Sequence, residues 1–397
     1  MNSKHRFLMA VIISALLTIS IVAAVNARSN LPRSSINQAA ATQKSARILR
    51  PSVRQAVRHD TSRPLRDLPS RQPLINSAQP QALPFFPLPR SQTAHQTNRA
   101  GVDPLLPDQS TLPQPLPASP LTLLNNFDGL YNYWGYYPPD TQGDIGFDPT
   151  TGKKYYIQWV NVQYAIWDVT LTPTVILTQT DGNMLWQGFG GECETQNDGD
   201  PITLFDPISH RWLMSQFAVP AGGPYYQCIA ISTSADPTGT WHRYAYRWQD
   251  SNLVDTFNDY GKFGVWPDGF YFSANQFSSA PESGLAANHP ASPQAVTSYK
   301  GAGVAVFERD KMLNGQDARM IYFDLNPIDP TLGGILPSHF AGTFLPPPGS
   351  PNYFAEVDGA GFGVPTDSLR IWKFHTDWTT PANSTFGVNG TANYTFT

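Results

Sequence analysis

The chain has 397 residues, of which 41% are hydrophobic and 12% aromatic, with 26 Lys and Arg against 30 Asp and Glu. This is long and apolar enough to bury a sizeable core, and a formal net charge of −4 excludes a protein that coats nucleic acid with a basic surface. Two cysteines are too few for a disulfide-dense small scaffold.

Lys4, His5 and Arg6 precede an uncharged, apolar run from Phe7 to Val25, and Val25-Asn26-Ala27 supplies small residues suited to signal-peptidase cleavage. Cleavage after Ala27 is expected, giving a signal peptide over residues 1–27. The alternative is an uncleaved anchor, because the run approaches the length that spans a bilayer. Either outcome places the remainder outside the cytoplasm, secreted or at the cell surface, and confines membrane contact to this segment.

Residues 28–120 are dominated by Pro, Ser, Gln, Ala and Arg, with Phe85-Phe86 almost their only aromatic content. Such a composition does not offset chain entropy, so a disordered tether is expected. It holds twelve basic and four acidic residues, whereas residues 121–397 hold twelve and twenty-six. The tether's arginines read as solubilising charge, with anionic lipid or wall polymer as alternatives. The acidic remainder is expected to bind no nucleic acid.

From residue 121 short runs of Tyr, Trp, Phe, Val and Ile alternate with Gly, Pro, Asp and Asn clusters, the pattern of strands and turns. Phe147-Asp148-Pro149 followed by Tyr155 to Asn161 matches Phe205-Asp206-Pro207 followed by Arg211 to Ala218. A third, weaker copy is Trp266-Pro267-Asp268-Gly269 with Phe270 to Phe277, where Asp-Gly predicts the hairpin turn. Further strands are expected at Tyr164 to Val169, Gln227 to Ser232, Gly303 to Glu308 and Leu369 to Phe374. Arg309 to Leu313 alone reads as a short helix. The unit recurs about every sixty residues with about four strands, which predicts an all-β β-propeller of four to five blades in preference to a sandwich.

Two segments carry a family resemblance: Gly199-Asp200-Pro201 through Gln216-Phe217, and Asp259-Tyr260-Gly261-Lys262 through Asn275-Gln276-Phe277. With Pro138-Pro139-Asp140-Thr141-Gln142-Gly143-Asp144, Pro351-Asn352-Tyr353-Phe354 and Trp372-Lys373-Phe374-His375, they resemble uncharacterised exported bacterial propeller proteins over residues 127–385. In that family further blades follow the equivalent of residues 381–386, so the resemblance implies an incomplete ring and a C-terminal truncation. Ser234-Ala235-Asp236-Pro237-Thr238-Gly239-Thr240-Trp241 resembles the Asp-box of sialidase-type propellers with its glycine displaced by one position. That motif is a folding device, and no catalytic role is expected for it.

The polar clusters at unit starts are the candidate site: Asp140 and Asp144, Asp198 and Asp200, Asp259 with Lys262, and Asn352. If each begins an innermost strand, all line one mouth of the central channel. Their carboxylates would there bind a polyol or a divalent cation such as calcium, or act as acid and base on a glycosidic bond. The bland alternative is turn and capping chemistry. Trp134, Tyr136, Tyr137, Trp248 and Tyr260 are candidate sugar-stacking residues or, alternatively, core. Histidine-metal, phosphate-loop and nucleophile-elbow motifs are missing from the sequence. Cys193 and Cys228 form a disulfide or remain two buried thiols. The expected function is non-catalytic binding of a glycan, cation or surface protein at the channel mouth. The alternatives are a propeller-type glycoside hydrolase and a structural surface module.

Overall fold

The computed structural model describes residues 48–68, 125–132, 138–279, 298–342, 344–359 and 366–397. The expected signal segment and most of the expected tether lie outside the described residues. Two short strands come first, β1 (Ser52–Gln55) and β2 (Arg58–Thr61). Blade I contains β3 (Gln142–Phe147), β4 (Lys154–Val160), β5 (Gln163–Asp168) and β6 (Thr174–Asp181). Blade II contains β7 (Ile202–Asp206), β8 (Arg211–Ala218), β9 (Tyr226–Ser232) and β10 (Trp241–Arg247). Blade III contains β11 (Phe257–Trp266), β12 (Gly269–Phe277), β13 (Tyr299–Phe307) and β14 (Arg319–Asp324). Blade IV contains β15 (Leu336–Pro337), β16 (Asn352–Asp358), β17 (Ser368–His375), β18 (Thr385–Phe386) and β19 (Tyr394–Phe396).

Every blade is an antiparallel meander, and the first strands β3, β7, β11 and β15 touch in succession. Sequential meanders joined through their innermost strands are a β-propeller of four-stranded blades, as the repeat predicts. The strand contacts run from blade I to II to III to IV, and no comparable contact returns from β15 to β3 among the described residues.

Local chemistry makes the hairpins. Asp148 accepts hydrogen bonds from the Thr150 amide at 2.8 Å and the Thr151 hydroxyl at 2.7 Å. Asp206 does the same with the Ile208 amide and the Ser209 hydroxyl, so each Asp-Pro pair closes its turn with the Asp side chain. In blade III the paired residues are Trp266 and Gly269, so Pro267-Asp268 is the two-residue turn, one position earlier than expected. The helix at Arg309–Leu313 falls where the sequence places it, and a second short helix, Glu192–Thr195, was not anticipated.

Large side chains fill the gaps between blades. Trp159, Trp186, Trp212, Met214 and Trp241 pack between I and II; Leu213, Ile229, Tyr246, Phe263, Phe272 and Phe307 between II and III. Tyr271, Val304, Phe323, Phe354, Trp372 and Phe374 pack between III and IV. Alternation along a strand sends neighbours to opposite gaps: Leu213 faces blade III while Met214 faces blade I. Blade I can approach blade II only because Gly146 lacks a side chain. A Cβ there would lie 2.3 Å from the Phe205 ring and 2.6 Å from Trp212.

The expected tether over residues 28–120 is corrected within residues 52–61. β1 pairs antiparallel with β14, the outer strand of blade III, and β2 pairs with β10, the outer strand of blade II. The segment thus straps two blades across their rims. Its basic residues, which composition reads as solubilising, have partners here: Arg54 stacks 4.4 Å from the Tyr322 ring centroid and donates to the Gln249 and Asp250 carbonyls. Beyond β2, Leu65 is 1% exposed and its amide donates to the Gly239 carbonyl. The strap therefore docks on the turn formed by residues 234–241. In that turn Asp236 accepts from the amide and hydroxyl of Thr238, and the buried Trp241 indole donates to the Pro237 carbonyl.

Candidate functional site

The innermost strands all begin at one end of the channel, the near mouth. The registers Gln142↔Trp159, Ile202↔Ser215, Lys262↔Ser273 and Leu336↔Ala355 place those four first-strand residues at one level. Two positions upstream stand Asp140, Asp200, Tyr260 and Gly334, and all four have left-handed backbone, with φ of 40°, 44°, 54° and 64°. A non-glycine residue adopts this conformation at a cost, and such residues concentrate at functional sites. In β11 the geometry comes with a bulge between Asp259 and Lys262, at the level of the mouth.

Four charged groups from three blades meet there. An Asp200 carboxylate oxygen accepts the Tyr260 amide at 3.0 Å, which brings Asp200 beside the Asp259–Tyr260 peptide. The Lys262 ammonium sits 3.6 Å from the Tyr260 ring centroid and donates to the Gly261 carbonyl at 3.0 Å. Asp140 accepts the Asn161 side-chain amide at 3.0 Å, and that amide also donates to the Pro138 carbonyl. Tyr260 is 48% exposed, so the cluster opens to solvent beside it.

This environment shifts every member. Burial, reinforced by the Asp200 charge, pushes Asp140 up to about 7. Burial and the same neighbour hold Asp259 well above the usual carboxylate range, and burial raises Asp200 although Lys262 opposes it. Lys262 is lowered by burial, with Asp200, Asp140 and Asp259 acting in the other direction. Two neighbouring buried carboxyls cannot both ionise cheaply, so each opposes ionisation of the other.

The other expected site residues go elsewhere. Asp144 accepts the Phe205 amide at 2.7 Å and so ties β3 to β7. Asp198 accepts the Val219 amide at 2.7 Å, and burial pushes it up to about 6. Asn352 is corrected: it begins the second strand of blade IV and lies at the far end of the channel. There it is fully buried, donating to the Ser338 carbonyl and accepting the Ser338 amide. The residue at the mouth level in blade IV is Gly334. Trp248 is fully buried, donating to Gln276, and is core; Trp134, Tyr136 and Tyr137 lie outside the described residues. Cys193 and Cys228 form a disulfide.

Asn161, which orients Asp140, was missed from the sequence, as was Glu356, whose side chain accepts the Gly333 amide. Burial pushes Glu356 up to about 7. Among the described residues no group of three or more His, Cys, Asp or Glu side chains is placed to hold a metal ion.

The raised carboxyls have a consequence for stability. Asp140, Asp198 and Glu356 hold protons in the folded state above pH 4, where the unfolded chain has released them. The folded state therefore binds more protons, and stability falls as pH rises toward 7. His242, His339 and Lys262, all lowered by burial, oppose this, the histidines only below their ordinary value of 6.5. The melting temperature is expected to be higher at pH 6 than at pH 8. Asp140→Asn should flatten that slope, and an unchanged slope would remove Asp140 from the account.

No family model and no curated protein matches the chain. Among solved structures, an alpha-L-arabinanase from Penicillium chrysogenum complexed with arabinobiose aligns with 13% identity and a TM-score of 0.32. The alignment covers 64% of this chain and 67% of that one, a likeness too slight to assign any activity here.

Proposed function

We propose that the chain is an exported β-propeller that binds a glycan at the near mouth through Asp140, Asp200, Asp259 and Lys262, with Tyr260 as the stacking surface. The observation that carries this reading is the meeting of three carboxyls and one ammonium, drawn from three successive blades, beside an exposed aromatic ring. Carboxyls and an ammonium together accept from and donate to sugar hydroxyls, and a tyrosine face suits the apolar face of a pyranose. The Cys193–Cys228 disulfide accords with an oxidising compartment.

Asp200→Asn is the test, since it keeps the side chain's shape and its contact with the Tyr260 amide. On a panel of immobilised polysaccharides, affinity for the bound glycan is expected to fall about tenfold or more, the loss of one charge-assisted hydrogen bond. Binding unchanged by this variant would place the glycan elsewhere.

A second reading, glycoside hydrolysis, is favoured by one observation. Asp140 keeps its proton up to about pH 7, as a general acid requires. This reading uses Asp140 as acid and Asp200 or Asp259 as base. Release of reducing ends by wild type and not by Asp140→Asn would establish it.

A further inference from the structure

Oxygen acceptors outnumber hydrogen-bond donors at the near mouth. Asp200 accepts from the Tyr260 amide and Asp140 from the Asn161 side-chain amide, while the Lys262 ammonium acts on the carboxyls through its charge alone. Asn161 is fully buried and directs its amide at Asp140, and its Oδ1 has no hydrogen-bond partner among the described residues. A buried acceptor left open beside a carboxylate calls for a donor, and one carrying positive charge is favoured most.

The site already holds such a group from within. The Lys262 ammonium lies over the Tyr260 ring within the field of three carboxyls that stand beyond ion-pairing distance, a π face and nearby anions that suit ammonium ions generally. Its one direct hydrogen bond is to the adjacent Gly261 carbonyl. Lysine's four-carbon stem is flexible, so the ammonium can leave the ring when a better-bonded cation arrives.

We propose that the near mouth is an ammonium cage that Lys262 fills in the ligand-free protein, and that its ligand is an amine-bearing sugar whose ammonium displaces that of Lys262. This rests on the mouth being the glycan site and names the class of glycan. A neutral sugar leaves Lys262 on Tyr260 and brings no cation to the carboxyls. An amino sugar supplies three N–H donors to Asp140, Asp259 and the open Asn161 oxygen. The carboxyl protons shed on binding link affinity to pH, since Asp140 faces Asp200, Asp259 and Lys262 and releases its proton only near pH 7.

Calorimetric titration of the full chain at pH 7 with glucosamine, N-acetylglucosamine and glucose tests the idea. Glucosamine is expected to bind about tenfold tighter than the two neutral sugars, the contribution of one desolvated cation–π and carboxylate contact. Lys262→Met, which vacates the cage, is expected to bind ethylammonium, and more tightly at pH 8 than at pH 6. Should that variant not fold, ethylammonium added to wild type is expected to weaken glucosamine binding by competition. Equal binding of the three sugars would overturn the cage and leave the glycan site standing. If no sugar binds either wild type or Lys262→Met, both readings fall.

Discussion

Arg309→Ala is expected to lower stability by about 3 to 5 kcal/mol, measured as a shift of the urea midpoint. Arg309 opens the short helix of blade III and reaches across to Asp206, at the end of β7 in blade II. Its Nε donates to Asp206 at 2.9 Å, and Nη2 lies 2.7 Å from the same oxygen, off the hydrogen-bonding direction. The two side chains are 6% and 1% exposed. Alanine would leave the Asp206 carboxylate buried without a counter-charge, and that desolvation, more than the lost attraction, sets the size of the effect. Pairing Arg309→Met with Asp206→Asn should recover most of the loss, because asparagine's oxygen still accepts from Ile208 and Ser209. A single-variant loss below about 1 kcal/mol would mean that water reaches Asp206, and the interblade pair would then carry little.

The double variant Cys193→Ala, Cys228→Ala is expected to lose about 3 to 4 kcal/mol from unfolded-state entropy, given a sequence separation of 35 residues. Cys193 lies on the helix Glu192–Thr195, and Cys228 on β9; both are buried in the core between blades I and II. The bridge thus pins the crossing segment between the two blades to the middle of blade II. Dithiothreitol should lower the melting temperature of wild type toward that of the double variant and leave the variant unmoved. A wild type indifferent to reductant would show that the bridge does not constrain the unfolded chain.

Much of the blade pattern is local and was therefore legible. β8 occupies Arg211–Ala218 as expected, because an Asp-Pro turn and a short apolar run define it without reference to distant residues. The helix Arg309–Leu313 was equally visible from its own residues. β1 and β2 were not, since Ser-Val-Arg-Gln and Arg-His-Asp-Thr have little apolar character and become strands only on the edges of β14 and β10.

Within the site, the sixty-residue period brought out Asp140, Asp200 and Asp259 with Lys262, and the channel axis brings these together. The period slips in blade IV because β15 is only two residues long and a long connection separates it from β16, so Asn352 was assigned to the wrong strand. Asp144 and Asp198 carry the same letters as the mouth residues but spend their oxygens on the backbone amides of Phe205 and Val219. Only three-dimensional placement separates those two roles.

The rim strap also sets an order of assembly. Ser62, just beyond β2, bonds with Trp241 across 179 residues, and β1 waits for a still later partner in β14. During synthesis the strap emerges before blades II and III and pairs only after they exist, so an early part of this fold is among the last to be fixed. Until then the outer edges of β10 and β14 stand open to other chains, and a partly emerged molecule is most prone to misassociation there. An export route that delivers the chain unfolded would make strap docking the event that ends this vulnerable interval.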